Sequence, residues 1–163
     1  MYYNLQVHSA YDLLNSTIKY ESLFLKLARD NQRSVVIVDP NMYGAIKAHK
    51  ESKKAGINLI QGLEVSLGYG IGFLKFNILC KTEKMFYKLL EVSTKFMNGE
   101  EWTIENFSSE MKEYSDDFVL IVVDELIDSM EFSYLNNLFS KYDLYFGFNE
   151  SFQVSPYPKL TSN

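Results

Sequence analysis

Carboxylates and an imidazole recur at the ends of short apolar runs in this chain. His8 follows the segment Tyr3 to Val7, Asp39 follows Val35-Val36-Ile37-Val38, Glu64 follows Asn58 to Gln61, and Asp124-Glu125 follow Phe118 to Val123. Groups of these types transfer protons or hold metal ions, and they gather at the C-terminal rim of sheets and barrels built from strand-helix units. Gln6 and His8 are two apart, so on a strand they face the same way. Lys75 shares a face with Asn77 and Leu79 on the run Phe73 to Cys80, which places a cation on a strand expected in the interior. Plainer readings compete with each of these. Asp39 caps the following helix together with Asn41. His8 is a core or rim histidine bonded to a neighbour, because one imidazole rarely makes a metal site. Cys80 is a small core filler, and His49 lies on a lysine-rich surface.

The elements that must position these groups follow from periodicity. Val35 to Val38 is a β-branched run of the kind buried on both faces of a sheet, and Pro40 marks its junction with a helix opening at Asn41-Met42-Tyr43-Gly44. That helix runs through Ala45, Ile46 and Ala48 to a C-cap at Gly56. Tyr20, Leu23, Phe24 and Leu27 recur at helical spacing before it, after a loop from Ala10 to Ser16. A third strand lies within Ile57 to Leu67, a glycine-rich hairpin turn spans Leu67 to Gly72, and a fourth strand covers Phe73 to Cys80. A helix from Glu83 ends at Asn98-Gly99, and Trp102 to Tyr114 forms a short one. Phe118 to Val123 is a strand, Glu131 to Ser140 a helix and Leu144 to Phe148 a last strand. The tail Ser151 to Asn163 lacks periodicity. About six strands separated by helices favour a parallel barrel or an open α/β sheet.

Composition bounds the rest. A chain of 163 residues, 47% hydrophobic and 15% aromatic, has room for one domain with a real core. Its net charge of −5 does not attract a phosphate backbone over the surface as a whole, so Lys47, Lys50, Lys53 and Lys54 read as a solvated helix face. One cysteine cannot form an internal disulfide, and the N-terminus lacks the basic and apolar regions of a signal peptide, which suits a cytoplasmic location. No apolar run reaches the roughly 18 residues of a membrane helix.

Four ordered pieces carry a resemblance. Val7-His8-Ser9-Ala10-Tyr11-Asp12-Leu13-Leu14, Val38-Asp39-Pro40-Asn41-Met42-Tyr43-Gly44-Ala45, Lys53-Lys54-Ala55-Gly56-Ile57 and Gln61-Gly62-Leu63-Glu64-Val65 resemble the N-terminal PHP (polymerase and histidinol phosphatase) domain of bacterial DNA polymerase III alpha subunits. The resemblance implies an α/β fold, a PHP-type distorted (β/α)7 TIM-like barrel that is incomplete here, over residues 1–150 with an irregular tail at 151–163. It implies a place at one end of a replicative DNA polymerase whose nucleotidyl-transfer carboxylates lie in another domain.

The family's metal-ligand cluster maps onto this chain with substitutions. His8, Asp39 and Glu64 are remnant ligand positions. Gln6, Pro40, Lys75 and Glu125 stand where the pattern has histidines or a cysteine. An amide, a proline and a lysine are poor donors for a Lewis-acidic ion, and an ammonium about 4 Å away repels a cation by about 4 kcal/mol at an effective dielectric of about 20. The expectation is therefore a non-catalytic structural and docking domain without a cofactor. Its partners are the remaining polymerase domains and a proofreading exonuclease or other replisome protein, with DNA bound mainly elsewhere and no membrane. Lys75 is expected to pair with Asp39 or Glu64 in place of the metal. The alternatives are a free-standing metal-dependent PHP phosphoesterase or 3′-5′ exonuclease, and an unrelated α/β binding module, which would show an antiparallel sheet edge with His8, Asp39 and Glu64 far apart.

Overall fold

The computed structural model describes residues 6–123 and 129–147. Within them the apolar runs make five strands: β1 Ser34–Asp39, β2 Asn58–Tyr69, β3 Gly72–Cys80, β4 Phe118–Val122 and β5 Asp143–Phe146. The helical spacings make α1 Tyr20–Arg29, α2 Ala45–Ala55, α3 Glu83–Met97, α4 Ile104–Glu110 and α5 Ser129–Leu138. Residues 1–5, 124–128 and 148–163 lie outside the described residues, and with them most of the expected first strand, Asp124 and Glu125, and all of the tail.

The strands order as β1-β2-β3-β4-β5. The pairs β1·β2 and β4·β5 are parallel, whereas β2·β3 and β3·β4 are antiparallel. Val7 bridges Ile37 in parallel on the other side of β1. Strand-helix alternation thus holds at both ends of the sheet and gives way in the middle, where Gly70, at φ +57°, closes the β2–β3 hairpin too tightly for a crossover. Glu64 is consequently not near a strand end. It lies mid-strand in β2, one residue past the Asp39–Leu63 pair that ends the parallel ladder.

Alternation along the strands sends Leu63, Val65, Leu67, Phe76, Ile78, Leu120 and Val122 to one face, where they pack on Met85 and Leu89 of α3, Phe107 of α4, and Leu135 and Phe139 at α5. Val35, Ile37 and Ile57 continue that face under Tyr20 and Phe24 of α1 and Ala48 of α2. Each large side chain buried there contributes roughly 1.5–3 kcal/mol. The opposite face carries a smaller cluster of Val36, Val38 and Leu79.

The helix boundaries have local causes. Thr82 accepts from Met85 N at the start of α3, and Thr103 and Asn106 form a reciprocal cap on α4. Gly56, at φ +68°, ends α2 in the left-handed region as expected. The start of α2 differs from the expectation: residues 41–44 form a turn, because Asn41 accepts from Tyr43 N and donates to the Tyr11 carbonyl.

Candidate functional site

His8 leaves the Val7 bridge on the sheet face opposite the helices. Its Nε2 lies 3.9 Å from Glu64 Oε2 and 3.2 Å from Gln6 Nε2, in keeping with the two-residue spacing. Its Nδ1 lies 3.0 Å from Asp12 Oδ2 without the alignment of a hydrogen bond. Lys75 Nζ sits 3.6 Å from Glu64 Oε1. The chain Asp12, His8, Glu64, Lys75 therefore alternates in charge whenever the imidazole is protonated. The Lys75 side chain is 58% exposed, so it does not lie in the interior as expected. The hairpin extends beyond β1, and between the Asp39–Leu63 pair and the Gly68–Thr103 bridge no strand among the described residues lies beside β2, so the rung where Ser66 pairs with Lys75 is uncovered on that side. Asn77, directly across the ladder from Glu64, is buried with its Oδ1 unpaired.

Asp39 points the other way. It shares the helix-side face with Val35 and Ile37, and it is 1% exposed. Its carboxylate accepts from Ser9 N at 2.7 Å, Ser9 Oγ at 2.6 Å and the Tyr20 hydroxyl at 3.1 Å. It is not a cap for α2 and does not meet Lys75. Instead it ties β1 to α1 and to the loop that carries His8. Burial pushes the Tyr20 phenol well above its ordinary range. That loop is closed by further bonds: Asp12 N donates to Ser9 O, Ser16 N to Asp12 O, and Ser16 Oγ to His8 O.

Among the described residues the remnant ligand positions do not converge on one point. Asp39 accepts three hydrogen bonds from neutral donors on the far face, Glu64 faces an ammonium, and Pro40 is an exposed bend with no donor side chain. No three His, Cys, Asp or Glu side chains converge as ligands among the described residues. Glu125 lies outside those residues. His49 is exposed on α2, and burial pushes the Cys80 thiol up to about 12, which leaves it a poor nucleophile. Asp12, Ser9 and Tyr20 are the participants that sequence reasoning passed over. Asp12 is four residues after His8 and lies in the same motif piece, which gave it no role of its own.

The fold places the chain among proteins of one architecture. A Bifidobacterium adolescentis protein put forward as a metal-dependent phosphoesterase superposes with a TM-score of 0.61 at 10% identity, covering 88% of this chain and 76% of that one. At that identity the likeness is one of fold. The PHP domain model matches residues 4–134, and the chain belongs to the PHP domain family. It is also similar to DNA polymerase III subunit alpha of Mycoplasma genitalium, 31% identical over 93 residues, covering 57% of this chain and 11% of that protein. The Bacillus subtilis protein of the same name is 37% identical over 95 residues, covering 56% of this chain and 8% of that protein. The chain thus spans about a tenth of the length of these relatives. No helix among the described residues is long and apolar enough to cross a membrane.

Proposed function

We propose that this chain acts as a non-catalytic PHP domain of a DNA polymerase III alpha type replicative polymerase, a cytoplasmic scaffold that carries no metal and docks on the remaining polymerase domains. The observation that carries this reading is the position of Lys75 Nζ, 3.6 Å from the Glu64 carboxylate that His8 also approaches. A cation there competes for the carboxylate that a divalent ion would need, and it opposes entry of that ion. Docking on a proofreading exonuclease belongs to the same proposal, as does reliance on other domains for most DNA contact.

The fold likeness to a phosphoesterase keeps metal-dependent hydrolysis as the second reading. Titration calorimetry with zinc and manganese, alongside release of phosphate from a small ester, separates the two. The expected result is no stoichiometric metal and no hydrolysis, with measurable zinc affinity gained in Gln6→His/Lys75→His. Stoichiometric metal in the unaltered chain, with matching phosphate release, would overturn the proposal.

A further inference from the structure

Net charge conceals a strong separation of charge in this molecule. Residues 17–56 carry eight lysines and arginines against four acids, one of them the buried Asp39, whereas residues 83–150 carry five against fifteen. The first group is α1, α2 and their connections. Every one of its eight basic side chains is exposed.

The fold gathers them onto one surface. Lys47 of the first turn of α2 pairs with Glu21 of the first turn of α1 at 2.8 Å, so the outer faces of the two helices are neighbours. The helices run in the same direction, since each leads within a few residues into the paired strand starts Ser34 and Asn58, and Asn58 N donates to Arg33 O. Their last turns, basic in both cases, therefore meet at the same end of the molecule. Lys26, Lys47 and Lys54 have acidic partners, whereas Arg29, Arg33, Lys50 and Lys53 have no acid within ion-pair distance among the described residues. Basic residues in a helix's last turn complement its dipole, but Arg33 and Lys50 lie outside the last turns, so that account does not cover them.

We propose that the α1–α2 face docks on the phosphodiester backbone of duplex nucleic acid, without reading its sequence. Exposed guanidinium and ammonium groups without an acidic partner suit phosphates, and binding them releases condensed counterions. The acids on this surface do not cancel the attraction: Glu21, Asp30 and Glu51 pair with Lys47, Lys26 and Lys54, which leaves Arg29, Arg33, Lys50 and Lys53 to meet phosphates. The same surface is available to a free-standing domain and to one joined to a polymerase, so failure here leaves the reading of the Lys75 site intact.

The test is fluorescence anisotropy of a labelled 20-base-pair DNA duplex of mixed sequence, titrated with the chain at several salt concentrations. Binding in the range of tens of micromolar at about 50 mM salt is expected, with log affinity falling against log salt at a slope of about −3 to −4 for roughly four contacts. Lys50→Gln/Lys53→Gln should weaken binding about tenfold or more and make the slope shallower by about 2. Lys112→Gln, just past α4 and away from the α1–α2 face, should leave it unchanged. No binding at low salt, an equal loss in Lys112→Gln, or competition by polyglutamate as effective as that by DNA would overturn the proposal. The last result would point to an acidic protein partner instead.

Discussion

Asp39 shows how little a residue's type says about its job. As an acid at the C-terminal end of a buried strand it invites a catalytic reading, and as an acid before a helix it invites a capping one. The structure gives it a third role, holding Ser9 and Tyr20 through three hydrogen bonds in a site 1% exposed. Asp39→Ala leaves buried donors without an acceptor and should lower unfolding stability by about 3 kcal/mol, with Asp39→Asn costing less, as measured by urea denaturation. Lys75 was legible as a cation in the wrong place, and its approach to Glu64 follows from the strand register. Its exposure was not legible, because nothing local records where a hairpin outruns its neighbouring strand.

At the scale of elements, the start of α3 at Glu83 and the end of α2 at Gly56 match the sequence reading, whereas α4 begins later than expected, behind its Thr103 cap, and α2 begins later because the Asn41 side chain supports a turn first. The α3–α4 pair carries an arrangement that spacing alone did not reveal. The Lys88 side chain, 7% exposed, donates to Glu110 at 2.8 Å and to Glu91 at 3.2 Å, while Lys95 reaches Glu91 at 2.9 Å. The Lys95 and Lys88 hydrogen bonds hold the Glu91 carboxyl below its usual range, and Lys88 does the same for Glu110. A carboxylate depressed in the folded state stabilises it above the unfolded pKa of about 4.3, and that contribution is lost as pH falls through the lower folded value. Glu91→Gln/Glu110→Gln should therefore be less stable than the parent at pH 6, and the difference in urea midpoint should narrow as pH is taken down to 3.

At the scale of the molecule, the helix-side core joins the sheet to α3, α4 and α5 through a ring cluster centred on Phe107, whose centroid lies 6.5 Å from Trp102, 6.3 Å from Phe118 and 6.2 Å from Phe139. Phe107→Ala should cost about 3–5 kcal/mol. Trp102 fluorescence and far-ultraviolet circular dichroism should report the same shifted transition if the domain unfolds as one unit. The order of strands and helices, the hairpin and the membership of the PHP family were already determined by the sequence alone, since periodicity, turn chemistry and ordered motifs are local properties of a chain. Which groups meet was decided only by the tertiary structure. Strand alternation turns Asp39 to the helix side and His8 and Glu64 to the other, and the packing of α1 beside α2 makes a basic face on an acidic protein. Net charge sums over a chain, whereas the field a partner meets depends on distances that exist only once the chain is folded.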